Sequence, residues 1–321
     1  MNLSSQYIDL IQEELRQLDI PESPDNLYSP IGYFLNLKGK KIRPILTLLS
    51  AELFGENIEH AKHAALAIEI FHNFTLIHDD IMDEAPLRRG QQTVHEKWNT
   101  NIAILSGDVL MIKAYEQLAL CTPDVLPDLI TLFNKTAIEV CEGQQMDMDF
   151  ETRDGVVQDE YIQMIKLKTS VLLGCALEMG AILAHSSQKN RTEIYQFGVN
   201  IGIAFQIQDD LLDLYGDGEK VGKQVGGDIL ANKNTLLSIL ALSRANDEQV
   251  NELKRLKSEK DTVLKINSTK SIFDELEVKS KCHQIMQAYY QKALNHFNAI
   301  QTENKNTALL NLTDALMKRD F

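Results

Sequence analysis

The chain has 321 residues, 44% of them hydrophobic, and carries 46 acidic against 32 basic side chains for a formal net charge of −14. That balance excludes nucleic acid or anionic membrane as the main partner, because both need a basic footprint. No stretch approaches the roughly 18 uninterrupted apolar residues of a membrane span, and the best candidate, Val171 to Ala184, carries Glu178.

Apolar residues recur every three to four positions, Gly and Pro are scarce, and no run alternates as a strand would, so the expected class is all-α in a single domain over residues 1–321. A first helix is expected over about 2–18 (Leu3, Tyr7, Ile8, Ile11, Leu15). It is acidic and amphipathic rather than basic and then apolar, which is not the pattern of a signal peptide. Pro21, Pro24 and Pro30 are expected to separate it from the next helix, over 44–54. Gly39-Lys40-Lys41-Ile42-Arg43-Pro44 stands before that helix; Pro44 suits its start, so Lys40 and Arg43 can present cationic donors from a rigid corner.

The helix expected over 60–83 ends on Asp79-Asp80-Ile81-Met82-Asp83, and a later one over 191–214 ends on Asp209-Asp210-Leu211-Leu212-Asp213. The first and last carboxylates of each motif are spaced i and i+4, stacked on one helix face about 6 Å apart, where two oxygens can converge on one cation. A single motif of this kind is common as a solvated acidic face. Here each follows a run too apolar for a surface helix: Ile68, Phe71, Phe74 and Ile77 before the first, and Ile201, Ile203, Phe205 and Ile207 before the second. Two acid clusters at the ends of buried helices need counter-charge. Oxygen-only ligands with positions left for water and phosphate suit Mg²⁺, and a diphosphate substrate follows.

Arg88-Arg89-Gly90 comes five residues after the first motif, where an Arg fork can bind phosphate oxygens bidentately and Gly90 lets the backbone come close. His72 lies roughly 20° from Asp79 on a helical wheel and shares its face. Helices are further expected over 101–120, 125–149, 158–184, 234–245 and toward the C-terminus. Within 158–184, Lys168-Thr169 puts a lysine in an apolar helix, which is costly unless its ammonium meets an anion or carbonyls. Gln206 is placed to turn an amide oxygen into the site. The glycine-rich loop from Gly216 to Gly227 carries Lys223 and is followed by Lys233; its spacing is not that of a P-loop. Cys121, Cys141, Cys175 and Cys282 are widely spaced, which fits reduced thiols in a cytoplasmic protein rather than a zinc site.

In motif order and over nearly its whole length, the chain resembles the trans-isoprenyl diphosphate synthases, or polyprenyl synthetases. The resemblance rests on Gly39-Lys40-x-x-Arg43-Pro44, Glu69-x-x-His72, and Asp79-Asp80-x-x-Asp83 followed by Arg88-Arg89-Gly90 and His95. It continues through Gly143-Gln144-x-x-Asp147, Lys168-Thr169, Phe205-Gln206-x-x-Asp209-Asp210-x-x-Asp213 and Gly222-Lys223-x-x-Gly226-x-Asp228. Lys38, where many members have glycine, and Gln91-Gln92, in place of a small residue and proline, depart from the pattern.

The resemblance implies an antiparallel helix bundle around a central cavity, the isoprenoid synthase type I fold, usually as a homodimer. It implies three Mg²⁺ ions, with Asp79 and Asp83 sharing two and Asp209, with Asp213, holding the third. Arg88, Lys168, Lys223 and Lys233 would complete the shell of an allylic diphosphate, while Lys40, Arg43, His72 and Arg89 would hold isopentenyl diphosphate. Thr169 and Gln206 would turn oxygens toward the developing carbocation. Phe74 and Phe71, five and eight residues before Asp79, with small Thr75 at the fourth, imply geranylgeranyl diphosphate as product and farnesyl diphosphate as the next choice. On an ideal helix Phe74 points about 140° away from Asp79, so its place in the cavity rests on the resemblance. A class I terpene cyclase shares the fold and first motif but usually carries an Asn/Ser/Glu motif in the second position. A non-catalytic subunit of a heteromeric synthase is the other rival, and intact acidic motifs argue against it.

Overall fold

Helices dominate as the periodicity predicts. A computed structural model describes residues 3–216, 225–304 and 307–317, and among them the only strands are Leu87–Arg88 (β1) and Gln91–Gln92 (β2), an antiparallel pair. The chain divides into two units, one of Met1–Lys135, Cys175–Tyr195 and Ile300–Leu309, the other of Thr136–Gly174, Gln196–Ala299 and Leu310–Phe321. Helices α7 (Leu126–Thr152), α9 (Val171–Leu183) and α10 (Gln188–Tyr215) contribute residues to both.

In the first unit, α1 (Leu3–Arg16), α2 (Asp25–Leu35), α3 (Ile42–Leu53) and α6 (Thr100–Ala119) pack around α4 (Ile58–Met82). Asn57 starts α4 by accepting from the Glu59 amide at 3.0 Å, a cap contributing about 1 kcal/mol. From Ala64 to Phe71 every residue of α4 is buried. A helix apolar on all sides must be surrounded by partners, and alanines at 61, 64, 65 and 67 let them approach. The first acidic motif is therefore the end of a buried rod. The short α5 (Val94–Lys97) follows the hairpin.

Helix α2 overturns one expectation, since Pro30 lies inside it instead of separating helices. Proline in a helix interior costs about 3 kcal/mol. Ile31, Phe34 and Leu35 are buried on the same helix at 1%, 0% and 7% exposure, and burying such side chains returns roughly 1.5–3 kcal/mol each. Pro44 is the third residue of α3, whose cap is Lys41 in a left-handed conformation (φ 49°).

In the second unit the helix expected over 158–184 is interrupted. α8 (Gln158–Ile165) passes into one turn of π-helix, Lys166–Ser170, before α9 begins. Glycines of two neighbouring helices face this turn. A Cβ on Gly143 of α7 would stand 2.6 Å from the Leu167 carbonyl carbon and Lys168 Cα, and one on Gly202 of α10 would stand 2.7 Å from Ser170 Cα. The remaining elements are α11 (Gly227–Leu230), α12 (Leu236–Arg244), α13 (Asp247–Lys257), α14 (Thr262–Glu275), α15 (Val278–Ala299) and α16 (Ala308–Met317). α12 packs on α8 and α15, and α14 backs α11 and α13. Among the described residues no helix is long and apolar enough to cross a membrane.

Candidate functional site

The first acidic motif ends α4, with Asp83 as its C-cap. Its three carboxylates have different surroundings. Asp80 is 1% exposed and takes the fork of Arg88, Nη2 at 2.6 Å and Nε at 2.7 Å on the same Oδ1. Its Oδ2 is buried with no hydrogen-bond partner among the described residues. Burial pushes the Asp80 carboxyl up, and the Arg88 fork opposes that. Asp79, at 21% side-chain exposure, lies 3.6 Å from Arg88 Nη2, and Asp83 is exposed. The sequence motif does not reveal this division of labour.

Arg88 reaches Asp80 from β1, and the turn that follows requires left-handed backbone at both central residues, Arg89 (φ 55°) and Gly90 (φ 76°), as in a two-residue hairpin. Gly90 thus serves the turn and not a close approach, since nothing lies within 4 Å of where its Cβ would be. Gln91-Gln92 forms the returning strand. Arg89 Nη1 donates to the Leu37 carbonyl at 3.3 Å, and its guanidinium lies over Gly39, where a Cβ would stand 2.7 Å from Nη1.

Lys40 is exposed, whereas Lys41 is buried and pairs with buried Glu69 at 2.9 Å. Glu69 also accepts from Asn73 at 3.1 Å. Arg43 Nη1 and His72 Nε2 are 3.0 Å apart. Burial lowers the Arg43 guanidinium to about 10, with Glu69 opposing and Arg89 assisting. Burial, then the charges of Arg43, Arg89, Arg88 and Lys41, drives His72 well below the usual imidazole range. The ring is neutral at pH 7. Because Arg43 can only donate, His72 accepts at Nε2 and carries its proton on Nδ1. Of the predicted quartet, Arg43, His72 and Arg89 thus lie close enough to perturb one another, with Glu69 and Lys41 beside them, while Lys40 is exposed on the segment before α3.

In the second unit the same asymmetry recurs. Asp210, the middle residue of its motif, is 4% exposed; it accepts from the Tyr161 hydroxyl on Oδ2 and from Gln206 Nε2 at 3.3 Å on Oδ1. Burial pushes Asp210 up to about 8, Asp228 adds to this, and the Tyr161, Gln206 and Leu236 donors oppose it. Asp209 and Asp213 are partly exposed. Asp213 Oδ2 accepts from the Asp228 amide at 3.0 Å, and its carbonyl from Gly226 at 2.6 Å, so Asp213 also anchors the turn beyond the motif.

The π-helical turn supplies Lys168 and Thr169. Lys168 Nζ is 2.5 Å from Asp147 Oδ2, the anion its burial called for, and Thr169 donates to Gln206 Oε1 at 3.3 Å. With Asp147, Asp210, Asp228 and Lys233 these residues line a cavity of about 120 Å³. Lys223 lies outside the described residues. Tyr161 was missed by sequence reasoning, and nothing local marks it.

About two turns before Asp79, in the middle of α4, Phe71 is 1% exposed and packs edge-on against Phe133 at 5.1 Å. Phe74 is half-buried between Phe71 at 5.6 Å and His78 at 4.7 Å. The Thr75 hydroxyl turns back onto the His72 carbonyl at 2.8 Å. Among the described residues no three His, Cys, Asp or Glu side chains are grouped closely enough to hold a metal by themselves. A carboxylate set of this kind fits Mg²⁺, which keeps water and substrate phosphate in its shell, and does not fit a closed zinc site. Cys121, Cys175 and Cys282 are buried, while Cys141 is exposed.

A model of the polyprenyl synthetase family matches residues 24–276. A geranylgeranyl pyrophosphate synthase of Geoglobus acetivorans is 37% identical over 313 residues, 97% of this chain and 96% of the relative. The crystal structure of a geranylgeranyl pyrophosphate synthase superposes with a TM-score of 0.92 at 43% identity, covering 100% of both chains. That of the geranylgeranyl pyrophosphate synthetase from Pyrococcus horikoshii Ot3 gives 0.92 at 32% identity, covering 98% of this chain and 97% of the other.

Proposed function

The chain belongs to the polyprenyl synthetase family of prenyltransferases, and from that premise we propose that it condenses isopentenyl diphosphate with an allylic diphosphate to give an all-trans geranylgeranyl diphosphate. One observation carries the reading beyond the family. In both acidic motifs the middle aspartate is buried and gripped by a donor, Arg88 on Asp80 and Tyr161 on Asp210, while the outer pairs, Asp79 with Asp83 and Asp209 with Asp213, stand one helical turn apart and less buried. A solvated acidic face has no need of such anchoring.

The outer aspartates would hold Mg²⁺, three ions by family resemblance, whose chemistry when bound is to neutralise the allylic diphosphate as it departs. By the same resemblance, Arg88, Lys223 and Lys233 would supply positive charge to that diphosphate. Lys168, held by Asp147, adds an ammonium where charge separates, and the Thr169 and Gln206 oxygens face the same cavity. Preorganised groups of this kind cost no reorganisation during reaction. At the isopentenyl end, Arg43, Arg89 and exposed Lys40 bind the second diphosphate. Neutral His72 offers Nδ1–H as a donor there.

Product length is assigned to Phe74 and Phe71 by the resemblance, which favours a geranylgeranyl over a farnesyl or much longer product; what supports it is that the two rings pack together and Phe71 packs against Phe133. We further propose one catalytic domain acting as a homodimer in the cytoplasm. Exposed Leu105 and Ile112 on α6, at 57% and 61%, lie two turns apart on one helix face, where a second copy would bury them. Purified protein with Mg²⁺, isopentenyl diphosphate and dimethylallyl, geranyl or farnesyl diphosphate is expected to release diphosphate and extend the starter. Failure to elongate any of the three refutes the proposal, and turnover appearing only on addition of a partner chain favours the heteromeric reading.

A further inference from the structure

Lys265 is the most deeply buried lysine after Lys41 among the described residues, at 5% exposure, and unlike Lys41 it pairs with no carboxylate of those residues. Its ammonium is bonded to three neutral oxygens: Asn232 Oδ1 at 2.8 Å, the Lys257 carbonyl at 3.2 Å and the Leu230 carbonyl at 3.3 Å. Leu230 and Lys257 are the last residues of α11 and α13. Carbonyls at helix C-termini lack intrahelical partners and carry the negative end of the helix dipole. One cation therefore closes two helix ends at once.

The segment so fastened is short and bears on the site. Asn232 adopts a left-handed conformation (φ 53°), its amide bonded to Ile229 at 3.1 Å, and the Lys233 amide returns to the Asp228 carbonyl at 2.9 Å. On its other side the segment is tied to Asp213 through the amides of Gly226 and Asp228. A Cβ on Gly226 would meet Ile266, the neighbour of Lys265, at 2.9 Å, so α14 presses on this turn at both places. Asp228 and Lys233 line the same cavity as Lys168 and Asp147.

We propose that Lys265 is a positioning residue for the diphosphate site: by capping α11 and α13 from α14, it fixes the turn that delivers Asp228 and Lys233 to the cavity. Burying an ammonium among neutral oxygens is a costly way to achieve stability alone, since an apolar side chain of similar length would fill the same space. The link to diphosphate rests on the function proposed above, whereas the link to the turn does not.

The experiment compares Lys265→Met, which keeps the stem and removes the donors, with Lys265→Gln, which keeps a donating amide. In the unliganded protein, amide hydrogen exchange over residues 228–233 is expected to quicken at least tenfold in Lys265→Met, less in Lys265→Gln, with α3 unchanged. In the elongation assay KM for the allylic diphosphate should rise about tenfold, while KM for isopentenyl diphosphate stays within about twofold. Unchanged exchange over 228–233, or equal rises in both KM values accompanied only by a lower melting temperature, overturns the assignment. Should Lys265→Met fail to fold, Lys265→Gln carries the same readouts. Should the unaltered protein elongate nothing, the proposed function fails, and the exchange comparison still decides what Lys265 does.

Discussion

Replacing Gly143 by alanine tests whether the π-helical turn places the catalytic groups. The added methyl would press hardest on the Lys168 backbone nitrogen and stand 2.6 Å from the Leu167 carbonyl carbon and Lys168 Cα, against an ordinary carbon contact of about 3.5 Å or more, so α7 and the turn must part by at least roughly 1 Å. All these obstacles are backbone, and none can rotate away. Forcing a methyl into so tight a contact costs about 1–3 kcal/mol of stability. The same displacement moves Lys168 away from Asp147 and Thr169 away from Gln206, pairs now at 2.5 and 3.3 Å, and a misplacement of about 1 Å can cost about 10²-fold in rate. Gly143→Ala is therefore expected to lower kcat about 100-fold while KM for isopentenyl diphosphate stays nearly unchanged, because Arg43, His72 and Arg89 belong to the first unit. Gly32→Ala is the control. Its Cβ would meet nothing within 4 Å, and in helix α2 it should leave activity intact and be neutral or slightly stabilising. Denaturant unfolding and steady-state elongation on both variants decide the matter. Parental kcat in Gly143→Ala, or a loss of stability with no loss of kcat, refutes the argument.

Asp79→Ala and Asp209→Ala are each expected to cut kcat by at least about 10²-fold with circular dichroism unchanged; near-parental turnover in either returns that motif to a solvated role. Lys41→Met leaves Glu69 buried without its ammonium at a site where both side chains are 2% exposed, so unfolding should show a loss of about 3–5 kcal/mol, and a loss under 1 kcal/mol would show that Asn73 suffices. Burial raises Glu178 to about 7, with Arg191 and Lys135 opposing and Asp128 assisting. Its folded value thus exceeds its unfolded one, so the stability it contributes is complete below about pH 4.5 and is lost as pH rises through about 7. Glu178→Gln should accordingly stabilise at pH 8 by about 1–2 kcal/mol, discounted for partial exposure, and have little effect at pH 4; melting curves at the two pH values check the sign. Phe74→Ala should lengthen the product, as separation of products by length will show. Phe71→Leu is the better companion than Phe71→Ala, whose fully buried ring would cost about 3–5 kcal/mol, and an unchanged spectrum in the double variant places the floor elsewhere.

What could be read from sequence was whatever helical geometry decides locally. Asp79 and Asp83, or Asp209 and Asp213, are neighbours because a helix turns every 3.6 residues, and the apolar runs before them required burial wherever the partner helices lay. Lys168 in an apolar helix demanded an anion for the same reason, although the sequence did not say that Asp147, 21 residues earlier, would supply it. What could not be read was set by the register between helices. Tyr161 meets Asp210 across 49 residues, and neither spacing nor composition marks that pair. The π-helical turn was likewise invisible, because Lys166–Ser170 contains no glycine or proline to mark a departure from the α-helix on either side. What accompanies it lies outside the segment, in the close approach of the helices that carry Gly143 and Gly202. Pro30 misled for the opposite reason: its local penalty is real, and the burial of Phe34 and Ile31, which only the packed chain reveals, exceeds it. The middle aspartates join both cases. The motif predicts three carboxylates, yet Asp80 and Asp210 are withdrawn into the protein by donors from β1 and α8, so the motif's two outer residues are presented by a third that serves as their foundation.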